Sequence, residues 1–93
     1  MQLYAILRRS AWATGDELQS AAARSTTEGE KMSDDVRWIR SYVLSEDNGR
    51  VGTVCLYEST SPEAIREHAQ RAGLAADEVI PVSDTVVIRP DPA

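Results

Sequence analysis

The sequence feature that most constrains the fold is an Asn48-Gly49 pair between two strand-like segments. Val36 to Glu46 and Val51 to Glu58 are rich in the β-branched and aromatic side chains that strands favour. Asn-Gly supplies the two positive φ angles of a type I′ turn, which joins antiparallel strands with the correct twist. We therefore predict a β-hairpin with strands over these two segments.

A helix is predicted shortly after the hairpin. Ser61 is a suitable hydroxyl N-cap, Pro62 fits the first helical position, and Gly73 fits the position after the helix end. One stripe of this helix is largely apolar and includes the single histidine: Ile65, His68, Ala69 and Ala72. Because such a stripe packs on the core, we expect the imidazole to turn inward.

Two more strands and one more helix are predicted outside this unit. Gln2 to Arg8 is apolar on both alternating faces, which indicates a strand inside the sheet. Thr14 begins a capping-box pattern, so a helix is expected from about Asp16 to Lys31. Glu78 to Ile88 is the last predicted strand, and Pro81 within it favours a sheet edge because proline has no amide donor.

The order β-α-β-β-α-β predicts a ferredoxin-like α+β fold, with two helices on one face of a four-stranded antiparallel sheet. We expect one domain over residues 1–93, with a frayed tail at 89–93. The expected helix-side layer is Leu3, Ala5, Leu7, Ile39, Val43, Val54 and Leu56. The expected opposite face is Tyr4, Ile6, Trp38, Tyr42, Cys55 and Tyr57. A bulge in the second strand would exchange these faces.

An apolar face of that size predicts a homodimer or higher homo-oligomer with sheets packed face to face.

Composition limits which other classes of partner we expect. A net charge of -5 without a basic run argues against nucleic acid. No apolar run approaches the roughly 20 residues of a membrane span, and the N-terminus lacks a signal-peptide core, so we expect a cytoplasmic protein without a membrane partner. The absence of a glycine-rich phosphate loop gives no reason to expect an organic cofactor.

The lone histidine is the first candidate for chemistry. His68 could meet the Glu58 carboxylate, and such a pair suits either a metal ligand with an oriented imidazole or a general base. The alternative is a core histidine that hydrogen-bonds only for structure. Cys55 could add a soft ligand for nickel or copper, or could be a packed mid-strand residue. With one histidine and one cysteine, a metal would need water or ligands from two chains.

Hairpin side chains are the candidates for a ligand pocket. Tyr42 and Tyr57 could hydrogen-bond a small molecule, and Trp38 could stack on it. We expect Trp38, Ser41 and Tyr57 to line such a pocket. Ordinary packing in the core or at a dimer interface is the alternative for these aromatic residues.

The run from Val36 to Val43, with Cys55-Leu-Tyr-Glu58 and the helix from Pro62 to Gly73, resembles domain-of-unknown-function family 4242, a family of small bacterial proteins. The resemblance covers about Tyr4 to Val82. It implies a ferredoxin-like fold and a dimer. Because a member is described as nickel-binding, it also implies nickel or another divalent transition metal. Its motif positions correspond to Ser41, Tyr42, Tyr57, Glu58 and His68. Arg40 stands where many members have a histidine, and this departure weakens the metal interpretation.

Three functional hypotheses follow. The first is a dimeric binding protein that holds a divalent transition metal near His68 and Glu58, with Cys55 as a further ligand. The second is a small cofactor-independent enzyme in which His68, Glu58 and Tyr42 do acid–base work on a small organic molecule, inside an apolar pocket that His68 reaches. The third is a structural or interaction domain whose histidine only supports the fold.

Overall fold

The predicted order of elements is present in the structure, a computed structural model that describes residues 1–92. The bounds of the elements are β1 Gln2–Trp12, α1 Gly15–Lys31, β2 Val36–Ser45, β3 Val51–Ser59, α2 Pro62–Ala72 and β4 Glu78–Pro81. The four strands form one antiparallel sheet in the order β2-β3-β1-β4. The ferredoxin-like α+β prediction is therefore confirmed, with β1 inside the sheet and β4 at its edge. Within residues 1–92, every helix is too short or too polar to cross a lipid bilayer.

Both helices begin at the predicted caps. The Thr14 side chain accepts a hydrogen bond from the Glu17 amide at 3.3 Å, and the Glu17 carboxylate accepts one from the Ala13 amide at 2.8 Å. Ser61 caps α2 in the same way, and Gly73 follows that helix with a φ of 69°. These contacts satisfy amides and carbonyls that a helix end otherwise leaves without partners.

The hairpin is present, but its turn differs from the type I′ prediction, which was wrong. Gly49 has a φ of 81°, whereas Asn48 does not have a positive φ. The Gly49 amide donates to the Glu46 carbonyl at 3.0 Å, and the Glu46 amide donates to the Arg50 carbonyl at 3.1 Å. A three-residue loop of this kind needs one left-handed residue instead of two.

The helices cover the face of the sheet opposite to the predicted one. The buried core consists of Tyr4, Ile6, Met32, Val36, Cys55, Tyr57 and Ile65. The alternating residues of β1 and β3, including Leu3 and Leu56, lie on the other face, which we call the open face. Both faces of β1 are apolar, so its alternation does not reveal which one the helices cover. Because side chains alternate with a period of two, the wrong choice misplaces a whole layer.

A β-bulge between Trp38 and Arg40 changes the faces within β2. Trp38 lies opposite Tyr57 before the bulge, and Tyr42 lies opposite Val54 after it. Trp38 therefore faces the helices while Tyr42 lies on the open face. The prediction that these two aromatic residues share a face was wrong, because the extra residue reverses the alternation.

The last strand is shorter than predicted. It ends at Pro81, whereas the prediction extended it to Ile88. The following segment, residues 85–91, lies against the open face. The Asp91 carboxylate accepts hydrogen bonds from Arg40 at 2.9 Å and from the Tyr42 hydroxyl at 2.8 Å. Within the tail that we expected to be frayed, Asp91 thus contacts β2. Residue 93 lies outside the described residues.

Candidate functional site

A pocket of about 380 Å³ lies between α1 and the helix-side face of the sheet. The α1 side of the pocket presents Leu18, Ala21 and Ala22, and the β2 side presents Trp38 and Val43. Short alanine side chains leave space between a helix and a sheet that larger side chains would fill. The stripe of small residues in α1 therefore leaves room for a ligand.

Arg8 is the charged group of this pocket. It continues the alternation of Tyr4 and Ile6 along β1, so its side chain lies on the helix side and is only 1% exposed. Its Nε donates to the Ala75 carbonyl at 2.6 Å, and its Nη1 donates to the Cys55 sulfur at 3.2 Å. Its Nη2 has no hydrogen-bond partner within residues 1–92.

The β2–β3 wall of the pocket brings together the three residues predicted to line it. Trp38 stacks on Tyr57 with ring centroids 6.0 Å apart and planes 4° from parallel. The Trp38 indole donates to the Ser41 hydroxyl at 2.8 Å, and that hydroxyl donates to the Cys55 sulfur at 3.0 Å. The structure thus places Trp38, Ser41 and Tyr57 in one wall, and their contact with a ligand stays a prediction.

Tyr57 connects this wall to α1. Its hydroxyl lies 3.1 Å from the Ser25 hydroxyl. Burial raises the pKa of the Tyr57 phenol above its usual value, and this effect outweighs the opposing hydrogen bond from Ser25 and the positive charge of Arg8. The phenol therefore stays protonated at neutral pH and can donate a hydrogen bond.

His68 is turned inward, as expected, but its partner is not a carboxylate. It is 1% exposed, and its Nε2 lies 2.9 Å from the backbone carbonyl of Ser25. Glu58 follows Tyr57 on β3, so its side chain extends from the open face, on the other side of the sheet. The expected His68–Glu58 contact is therefore wrong, because it depended on the reversed assignment of faces.

The three predicted metal ligands do not converge. His68 and Cys55 lie on the helix side, whereas Glu58 lies on the open face. Within residues 1–92 there is no group of three or more histidine, cysteine, aspartate and glutamate side chains that could hold a metal ion. One chain therefore does not bring His68, Cys55 and Glu58 together, and their role as metal ligands stays a prediction.

The predicted catalytic set does not converge either. The Tyr42 hydroxyl is hydrogen-bonded to Asp91 on the open face, where Glu58 also lies. His68 lies across the sheet, beside a second hollow of about 330 Å³ between the helices and β2, and does not line the pocket that contains Arg8. A hollow that His68 reaches is thus present, whereas the pocket of about 380 Å³ is built around Arg8, a residue that sequence analysis missed. The available signal was a cation in phase with the apolar residues Tyr4 and Ile6.

Comparisons with known proteins agree with this fold. A family model described as nickel responsive protein SCO4226-like matches residues 4–82. That description does not confirm the family 4242 label expected from the sequence. The crystal structure of SCO4226 from Streptomyces coelicolor A3(2) superposes with a TM-score of 0.69 at 24% identity, covering 90% of this chain and 99% of that chain. At this identity the similarity shows the fold alone. A search of curated proteins found no match.

Proposed function

This chain belongs to the SCO4226-like family of nickel-responsive proteins, and from that membership we propose that it is a small nickel-related binding protein. The observation that carries the proposal is the family match, which extends from β1 to the end of β4. The cytoplasmic location expected from the sequence stays a prediction.

Nickel does not fit the interior of one chain. Imidazole, thiolate and carboxylate are all acceptable nickel ligands, but here each has another position or partner. His68 contacts the Ser25 carbonyl, and the Arg8 guanidinium donates to the Cys55 sulfur. A fixed cation beside that sulfur opposes the approach of a divalent metal ion. The proposal therefore does not include a centre formed by His68, Cys55 and Glu58.

We propose instead that nickel is held by side chains from more than one copy of the chain, with water in the remaining positions. The exposed apolar residues of β2 support a homodimer, because β2 is an edge strand and an exposed edge can pair with another chain. These residues are Trp38, Ile39, Tyr42 and Val43, with exposed fractions of 40%, 45%, 41% and 61%. Trp38 and Val43 lie on the helix side of β2, whereas Ile39 and Tyr42 lie on its open face, so a second copy paired with this edge could cover apolar surface on both sides.

The test is a calorimetric titration of nickel into the metal-free protein, with the oligomeric state measured by light scattering before and after. We expect binding to accompany assembly and to persist in His68→Gln and Glu58→Gln. Magnesium provides a control for non-specific binding to the acidic surface. Tight binding to a monomer that His68→Gln removes without unfolding would contradict the proposal of a shared site. No nickel binding at all would contradict the nickel proposal itself.

A second candidate function is the binding of a small organic molecule in the pocket between α1 and the sheet. The specific observation is the volume of about 380 Å³, which is within the usual range for ligand pockets. This candidate keeps the small organic molecule of the enzyme hypothesis but not His68, Glu58 and Tyr42 as the residues that act on it. A thermal-shift screen of small molecules should identify ligands that stabilise the wild type and fail to stabilise Ala22→Trp, which fills the pocket. Ala23→Trp places the same indole on the exposed face of α1 and should respond like the wild type.

A further inference from the structure

The pocket between α1 and the sheet contains a buried positive charge without a counter-ion. Arg8 is 1% exposed, and no aspartate or glutamate is among the described residues that line the pocket. The partners of its Nε and Nη1 atoms are the Ala75 carbonyl and the Cys55 sulfur, and neither is a carboxylate. Three surface arginines contrast with it, because Arg9, Arg40 and Arg71 each pair with a carboxylate.

Such a charge is costly to bury unless an anion accompanies it. A guanidinium stays protonated in proteins, so Arg8 cannot reduce this cost by losing a proton. Its Nη2 is buried and without a partner within residues 1–92, and Arg8 is part of the pocket lining. A carboxylate that accepts a hydrogen bond from Nη2 would supply both the missing acceptor and the missing negative charge.

We infer that this pocket binds a small organic carboxylate with a flat apolar body, and that the carboxylate pairs with Arg8. The inference rests on the proposed binding of a small molecule in this pocket and specifies its chemical class. The apolar body has matching walls in Leu18, Ala22 and Trp38. An inorganic anion would leave these walls without contacts, whereas an aryl or short alkyl group fills them.

The test compares phenylacetate with phenylacetamide, which has the same body without the charge. Both are titrated into the wild type, Arg8→Met and Arg71→Met by calorimetry, and circular dichroism verifies that each variant is folded. Arg71→Met removes one exposed arginine on α2 and leaves the pocket unchanged, so it is matched in charge to Arg8→Met. Sulfate is titrated as the inorganic anion.

We expect the wild type and Arg71→Met to bind phenylacetate with equal affinity and Arg8→Met to bind it about tenfold to a hundredfold more weakly, as for the loss of a hydrogen bond between charged groups. Phenylacetamide should bind both wild type and Arg8→Met weakly and alike, and sulfate should bind more weakly than phenylacetate.

Equal affinity of the wild type for phenylacetate and phenylacetamide, or tighter binding of sulfate, would overturn the carboxylate inference while leaving the pocket a binding site. If neither organic compound binds the wild type, the proposed pocket function fails as well. If Arg8→Met does not fold, the comparison of the two compounds on the wild type decides.

Discussion

The Nε2 atom of His68 on α2 lies 2.9 Å from the backbone carbonyl oxygen of Ser25 on α1. Gly29, one turn further along α1, also lies beside this imidazole, since a Cβ at Gly29 would be in ordinary van der Waals contact with the same nitrogen at 3.6 Å. The only histidine of the chain therefore joins the two helices in the core. This contact, and not a carboxylate pair, is the relationship that explains why an imidazole lies on the inner stripe of α2.

Replacing His68 should destabilise the protein strongly. We expect His68→Ala to lower the free energy of unfolding by about 2–4 kcal/mol, because it leaves a cavity in the core and leaves the Ser25 carbonyl without the imidazole as its partner. Urea denaturation followed by circular dichroism measures this change. Gln70→Ala, at an exposed position of the same helix, should change stability by less than about 0.5 kcal/mol. A change that small for His68→Ala would contradict a structural role for the imidazole.

Gly52 is expected to tolerate no side chain. A Cβ there would lie 2.7 Å from the backbone carbonyl oxygen of Arg8, where β1 bends beside the hairpin. Because a backbone atom cannot rotate away, Gly52→Ala should cost about 1–3 kcal/mol. Gly15→Ala is the matched control, since a Cβ at that helix start meets nothing within 4 Å. Thermal denaturation should show Gly15→Ala to be equal to or about 0.4–1 kcal/mol more stable than the wild type.

The stability of the protein should fall at alkaline pH because of Tyr57. Burial raises the pKa of this phenol in the folded state above its usual value of about 10. The unfolded chain therefore releases the proton first, so the free energy of unfolding decreases as pH rises from the unfolded pKa towards the folded one. Tyr57→Phe lacks this proton, so the stability of the wild type relative to Tyr57→Phe should fall as pH rises through about 10 and above.

Ser25→Ala provides the control for this experiment. It removes the hydroxyl 3.1 Å from the Tyr57 phenol but leaves the buried phenol in place, so the alkaline loss of stability should persist. Urea denaturation at several pH values measures both variants. A stability difference between wild type and Tyr57→Phe that stays constant with pH would show that Tyr57 is not responsible.

Asp91 should hold the C-terminal segment against the open face. Its carboxylate accepts hydrogen bonds from Arg40 and Tyr42, and the ion pair with Arg40 is about half exposed. Asp91→Asn should therefore change global stability by less than about 1 kcal/mol, while amides of residues 85–91 exchange faster with deuterium. Asp84 lies just before this segment, and its side-chain hydrogen bond within residues 1–92 is from the amide of its neighbour Thr85, so Asp84→Asn should not alter exchange in residues 86–91. Equal exchange in wild type and Asp91→Asn would contradict this role.

Local signals in the sequence were sufficient for the elements. The caps at Thr14 and Ser61 and the left-handed Gly73 act through contacts within a few residues, so their spacing alone predicts where helices begin and end. Asn48-Gly49 predicted the hairpin but not its turn type. The same dipeptide occurs in two-residue loops with two positive φ angles and in three-residue loops with one. The inward stripe of α2, with Ile65 and His68, was also evident from helical periodicity.

The sequence by itself determined the order of strands and helices and the caps at which both helices begin. Only the tertiary structure decided which face of the sheet the helices cover, because β1 is apolar on both faces and the bulge before Arg40 reverses the alternation of β2. That choice separates His68 from Glu58 and encloses Arg8 and Cys55 in the pocket between α1 and the sheet. These contacts join residues far apart in the chain, and they depend on the packing of the helices on the sheet, which no local pattern records.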